Sequence, residues 1–116
     1  MRIRTCYFKV SNMSDACAFW SKLLEMPPVK NSPKYCEFKL ANINLGLLLN
    51  DFGDEFKGAN CVPVFEFADD QIAGYIDRAK DLGASVILEG LDNPSLLSVV
   101  FADPWGNEFE LSRFHD

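Results

Sequence analysis

Apolar residues recur along this chain in two rhythms that exchange with one another. From Ile3 to Val10 the period is two, with Cys6, Phe8 and Val10 on one face and Thr5, Tyr7 and Lys9 on the other. The period then lengthens. Ala16, Phe19, Trp20, Leu23 and Leu24 follow at helical spacing, after Ser11-Asn12-Met13-Ser14 has supplied candidate N-caps. Pro27-Pro28 ends that helix. Alternation returns from Lys34 to Leu40, with Cys36, Phe38 and Leu40 inward, and from Ile43 to Leu49, with Leu45, Leu47 and Leu49 sharing a face. Because Phe19 and Trp20 are adjacent, they cannot both lie on one core line, which predicts that one of them is exposed and free for subunit contact.

The same order recurs further on. Cys61 to Ala68 reads as a strand, with Phe65 and Phe67 on one face and Val64 and Glu66 on the other. Asp69 and Asp70 are placed to cap the next helix and to complement its dipole. Ile72, Ile76, Ala79 and Leu82 form its apolar stripe, and Gly83 suits its C-terminal cap. Strands follow at Ala84 to Glu89 and Leu97 to Ala102. Laying Val10 on Phe67 sets a period of about 57 residues and brings the two helices into coincidence. Each copy reads as a strand, a helix and then three strands, a βαβββ module. The predicted class is α+β, one domain over 1–116. Module 1 spans about 1–50, the connector 51–60 and module 2 about 61–116. The helix of each module covers one face of a mixed sheet. The two curved sheets are expected to enclose a cleft, with the helices on the outer face.

The last hairpin carries the most local information. Asp103-Pro104-Trp105-Gly106-Asn107 reads as a tight turn: Pro104 presets its first corner, Asp103 bonds back to the backbone, and Gly106 takes the left-handed position. Beyond it Glu108 and Glu110 share one face, and Phe109 and Leu111 the other. The cleft-facing set is then Thr5, Tyr7, Lys9, Tyr35, Glu37, Leu48, Val64, Glu66, Glu108 and Glu110.

Charge narrows the partners. Formal net charge is −6. Between residues 51 and 70 six acids (Asp51, Asp54, Glu55, Glu66, Asp69, Asp70) face the single base Lys57. Such a surface disfavours nucleic acid, whose phosphates require basic side chains, and attracts cations. No apolar run approaches a membrane span. The N-terminal Met-Arg-Ile-Arg-Thr-Cys-Tyr-Phe lacks the apolar stretch of a secretory signal. The four cysteines, Cys6, Cys17, Cys36 and Cys61, have no CxxC spacing and read as buried reduced thiols, which points to the cytoplasm.

Three segments in this order resemble the vicinal oxygen chelate superfamily, which includes glyoxalase I, extradiol dioxygenases and the bleomycin resistance proteins. They are Tyr7-Phe8-Lys9-Val10-Ser11-Asn12-Met13 with Ala18-Phe19-Trp20, then Val64-Phe65-Glu66-Phe67-Ala68-Asp69-Asp70 with Ala79-Lys80-Asp81-Leu82-Gly83-Ala84, then Phe101 to Asn107 with Glu110-Leu111. The resemblance implies the paired-module fold and a homodimer. In the family's enzymes, a divalent metal is usually held from the first and last strands of each copy. On this chain those positions are Thr5, Gly46 (Leu45 if the register shifts by one), Val62 and Glu110. Only Glu110 is a useful ligand, and one carboxylate does not hold a catalytic ion against water. The single histidine, His115, is the penultimate residue, so one chain cannot supply a two-histidine triad. Neither metal nor cofactor is expected.

What remains is the metal-free branch, which resembles the bleomycin resistance proteins and binds a small molecule without reacting with it. Tyr7, Tyr35 and Trp105 are candidates to stack on a flat or cationic ligand. Glu37, Glu66 and Glu110 are candidates to pair with its positive groups, and Lys9 and Val64 complete the candidate ligand-binding set. Each has a plainer alternative: the tyrosines as filling of the concave face, Trp105 as hairpin packing, Glu110 as a partner of Lys9. Binding is favoured over catalysis. The enzymatic alternative is a glyoxalase-like lyase or dioxygenase relative, with a carboxylate base, Glu110 or Glu66, or an unforeseen metal site.

Overall fold

Residues 3–51 and 62–114 are described by the structure, a computed structural model. The expected connector beyond Asp51, Cys61 and His115 lie outside them. The chain divides into two compact units, Met1–Phe56 and Lys57–Asp116. The described residues hold two helices and eight strands, in two mixed four-stranded sheets. Among them no helix is long and apolar enough to cross a membrane.

Unit 1 runs β1 (Thr5–Val10), α1 (Met13–Leu24), β2 (Lys30–Asn31), β3 (Tyr35–Lys39) and β4 (Asn44–Leu49), with sheet order β1-β4-β3-β2. β1 and β4 are parallel and the remaining pairs antiparallel. A parallel pair needs a crossover, and α1 lies within it. α1 starts where expected, because Asn12 Oδ1 accepts the Asp15 backbone N–H at 3.0 Å. It ends at Leu24, with Glu25 in the left-handed conformation (φ 54°), two residues before Pro27. The helix buries Met13, Ala16, Phe19, Trp20 and Leu23. Trp20 meets Phe8 with ring centroids 5.4 Å apart, so α1 sits on the Phe8, Val10, Cys36, Phe38, Leu45 and Leu47 face, where all six residues are buried. Burying an aromatic or aliphatic side chain of this size contributes roughly 1.5–3 kcal/mol.

Contrary to the expectation from their adjacency, neither Phe19 nor Trp20 is exposed. Both are buried, at 5% and 0% exposure, and their rings meet edge to face at 5.4 Å. A helix lying on a sheet buries a stripe at least 100° wide, which is the angle between consecutive residues, so neighbours can both reach the core. β2 carries no alternation: both of its residues are exposed, and it pairs along the backbone with Glu37 and Cys36.

Unit 2 repeats the plan with β5 (Val64–Phe67), α2 (Asp69–Asp81), β6 (Ser85–Gly90), β7 (Ser98–Ala102) and β8 (Glu108–Arg113), in sheet order β5-β8-β7-β6. The repeat holds at the level of register. Tyr7 pairs with Gly46 in parallel in unit 1, and Val64 pairs with Glu110 in parallel in unit 2. α2 lies on the Phe67 face, where Phe67 and Tyr75 stack at 4.2 Å. Ile72, Ile76, Ala79, Val99, Phe101, Phe109 and Leu111 are buried.

The capping role expected of Asp69 and Asp70 is also corrected. The N-cap is Ala68, with no side-chain hydrogen bond, and both acids lie in the first helical turn. They complement the helix dipole there, and Asp69 Oδ1 lies 3.6 Å from Arg113 Nη1. At the other end Gly83 (φ 93°) follows the cap. Its N–H donates to Lys80 C=O, and the Ala84 N–H donates to Ala79 C=O, the double bond pattern of a Schellman motif.

The hairpin between β7 and β8 forms as its residues dictate. The Gly106 N–H donates to Asp103 C=O, with Gly106 at φ 87°. The buried Asp103 carboxylate accepts the N–H groups of Trp105 (3.0 Å) and Asn107 (2.8 Å) and the Asn107 side-chain amide (3.1 Å). Glu108 and Glu110 emerge half-buried on the face away from α2, while Phe109 and Leu111 point to the core.

Candidate functional site

The faces turned away from the helices carry the expected candidates. In unit 1 this face presents Thr5, Tyr7 and Lys9 from β1, Gly46 and Leu48 from β4, and Tyr35 and Glu37 from β3. Tyr7 is the open member, at 53% exposure. Lys9 and Tyr35 are half-buried.

Glu37 departs from expectation. It is 4% exposed although it lies on the face without a helix. Its neighbours account for this. The Tyr35 hydroxyl donates to Oε1 at 2.7 Å, and the Thr5 hydroxyl donates to the same oxygen at 3.3 Å. Asn44 Nδ2 donates to Oε2 at 3.3 Å, and Lys30 Nζ lies 3.6 Å from it. A buried carboxylate needs such partners, because its desolvation is otherwise costly. The Tyr35 hydrogen bond, with Lys30 and Thr5, holds Glu37 below the usual carboxylate range against the upward push of burial. Burial, and then the bond to the Glu37 carboxylate, pushes the Tyr35 phenol up to about 12. Glu37 is therefore an anchored, ionised group with its lone pairs engaged inside the unit.

Gly46 explains how Tyr35 reaches it. Glu37 and Gly46 are directly paired across β3 and β4, and Tyr35 is paired one step along with Leu48. The absent side chain at Gly46 lets the Tyr35 ring lean diagonally across the strand. A Cβ placed there would overlap the Tyr35 hydroxyl and stand 2.9 Å from its Cζ. Sequence reasoning missed Thr5, Asn44 and Lys30 as partners of Glu37. The one available signal was the isolated glycine in the leucine-rich strand Asn44–Leu49, a mark of close approach.

In unit 2 the corresponding face carries Val64 and Glu66 from β5, Ser98 and Val100 from β7, and Glu108 and Glu110 from β8. Glu110 is half-buried, and its Oε1 accepts the Ser98 hydroxyl at 2.8 Å. Val64, directly opposite Glu110, is 52% exposed, and Glu66 is exposed as well. Trp105 is half-buried at the hairpin. The structure thus joins Tyr35 to Glu37 and Val64 to Glu110. It leaves Tyr7 open on its own strand and Trp105 at a turn.

The metal-ligand positions implied by the resemblance can be tested one by one. Thr5 spends its hydroxyl on Glu37. Leu45, the shifted alternative to Gly46, is 2% exposed on the helix-covered face, so Gly46 is the residue in register. Gly46 offers no side chain, and Tyr35 fills its space. Val62 has no donor atom, and Glu110 is the one carboxylate. Three of the four positions are chemically unable to ligate zinc, iron or manganese usefully, so these residues do not fit a divalent ion. No group of three or more His, Cys, Asp or Glu that could hold a metal occurs among the described residues.

Comparison with known proteins agrees with this geometry at the level of fold. The family model described as Glyoxalase/Bleomycin resistance protein/Dioxygenase superfamily matches residues 2–111. Among solved structures, the chain is similar to an Agrobacterium tumefaciens protein determined by solution NMR, with TM-score 0.84 and 21% identity over 100% of this chain and 99% of that one. It is similar to a glyoxalase-related enzyme from Fulvimarina pelagi, with TM-score 0.83 and 15% identity over 98% and 88% of the two chains. It is also similar to a glyoxalase/bleomycin resistance protein from Albidiferax ferrireducens T118, with TM-score 0.79 and 15% identity over 97% and 98%. No curated protein matches the chain.

Proposed function

This chain belongs to the Glyoxalase/Bleomycin resistance protein/Dioxygenase superfamily, and from that premise we propose that it is a metal-independent binding protein for a small cationic or aromatic molecule. The observation that carries the reading is the filled ligand position: at Gly46 the Tyr35 phenol stands where a coordinating side chain would have to be. The carboxylate nearest that position, Glu37, is committed to four partners within its own unit.

The surfaces that remain open suit non-covalent binding. Tyr7 offers an exposed ring for stacking. Val64 beside Glu110 offers an apolar contact next to a carboxylate, a pairing that suits a ligand with an apolar body and a positive group. Lys9, Glu66 and Trp105 are further candidate contacts. The net charge of −6 favours approach of a cation. In this reading the protein acts in the cytoplasm as a homodimer and sequesters its ligand unchanged, as a bleomycin resistance protein does. The lyase alternative has less support: Glu37 is a weak base while its pKa is held down, and Ser98 already engages Glu110.

A thermal-shift screen of cationic antibiotics, aromatic metabolites and divalent metals tests this reading. A true ligand at a hundredfold excess over its dissociation constant stabilises by roughly 3 kcal/mol, and Mn, Fe, Ni and Zn ions give no specific shift. Metal-stimulated turnover of a methylglyoxal–glutathione adduct would overturn the proposal.

A further inference from the structure

Unit 1 has a second feature, on the side that bears its helix. A groove of about 660 Å³ runs beside α1, lined among others by Met13, Cys17, Ser21, Pro28 and Asn31. Cys17 is half-buried in its wall, and the fully buried Cys36 of β3 stands directly behind it. The Cys36 thiol donates to Cys17 Sγ at 3.0 Å. The Ser21 hydroxyl lies 3.9 Å from Cys17, and Asn31 Oδ1 lies 3.8 Å from Cys36. Both cysteines are free.

Two thiols at this separation, one reaching a groove and the other closed off, divide the roles needed for thiol–disulfide exchange. We propose that Cys17 and Cys36 form an oxidisable dithiol, in which Cys17 is the sulfur met by a low-molecular-weight disulfide entering the groove. The Cys17 thiolate attacks one sulfur of the small disulfide. The S–S bond of that molecule breaks, one thiolate leaves, and a mixed disulfide forms on Cys17. Cys36 then gives up its proton, attacks Cys17 Sγ and expels the second thiolate. The protein loses two electrons and two protons, and the small disulfide is reduced to two thiols. About 1 Å of further approach joins the sulfurs, since a disulfide bond is about 2.05 Å long. Burial pushes the Cys36 thiol up to about 12, in keeping with its place as the second sulfur to react. The bond would tie α1 to β3, and in a reducing compartment it would form only when the thiol pool is oxidised.

The test uses glutathione disulfide on the reduced full-length chain, followed by thiol blocking, intact mass measurement and peptide mapping. The expected product has lost two hydrogens, carries a Cys17–Cys36 cross-linked peptide and keeps Cys6 and Cys61 alkylated. In Cys36→Ser the reaction should stop at one glutathionyl group on Cys17. The wild-type peptide map decides the matter even if that variant folds poorly. Recovery of Cys17 and Cys36 as separate alkylated residues, or a bond from either one to Cys6 or Cys61, overturns the proposal.

Discussion

Tyr35 and Gly46 stand on neighbouring strands, and the phenol of the first occupies the volume that a side chain on the second would need. This one relationship fills the position at which the resemblance would put a metal ligand, and it delivers the hydroxyl to Glu37 at 2.7 Å. Gly46→Ala is therefore expected to destabilise the protein by about 1–3 kcal/mol through overpacking. In a Tyr35→Ala background the same change should cost less, because the ring it collides with is gone. A double-mutant cycle by urea denaturation measures the coupling, and additive effects would contradict the arrangement.

Acid should weaken the fold through Glu37. Its folded-state pKa is depressed, first by the Tyr35 hydrogen bond and then by Lys30 and Thr5. The unfolded chain therefore binds the proton more readily than the folded one. The contribution is fully present above the ordinary Glu value of about 4.3 and is lost as pH falls through the folded-state value. Urea midpoints measured from pH 6 downward should fall more steeply in the wild type than in Glu37→Gln.

Alkali acts with the opposite sign on Tyr35. With its phenol pushed up to about 12, the folded state keeps a proton that the unfolded state loses near pH 10. The contribution is present below about pH 10 and is lost as pH rises toward 12. Absorbance titration should show one of the three tyrosines ionising late, and that late step should vanish in Tyr35→Phe. The same variant removes a hydrogen bond to a charged group, and a loss of about 1.5–3 kcal/mol is expected from urea denaturation.

The hairpin offers an independent test. Asp103→Ala leaves the N–H groups of Trp105 and Asn107 and the Asn107 amide without this acceptor. A cost of about 2–3 kcal/mol in thermal or urea denaturation is expected, with faster amide exchange at Trp105 and Asn107. Unchanged exchange at those two amides would show that the carboxylate does not hold the turn.

Much of this was legible from local pattern. The helical spacing from Ala16 to Leu24, the cap at Asn12 and the turn at Asp103 each depend on residues close in sequence, whose chemistry acts over one or two turns of chain. The repeat was legible too, because both modules use the same change of period, and the Tyr7–Gly46 and Val64–Glu110 pairs confirm it. Two local inferences failed for a shared reason. Capping by Asp69 and exposure at Phe19 or Trp20 both depend on where a helix starts and how wide a face it presents, and those are set by the sheet beneath it.

By itself the sequence determined the βαβββ order, the two apolar layers and the residue types at Thr5, Gly46, Val62 and Glu110, since periodicity and residue chemistry are local properties of the chain. Only the tertiary structure decided that Glu37 is enclosed by Thr5, Asn44, Lys30 and Tyr35, and that Cys36 stands behind Cys17. Those contacts join residues on different strands and on a helix. Their distances are set by strand register and helix docking, which no short window of residues encodes.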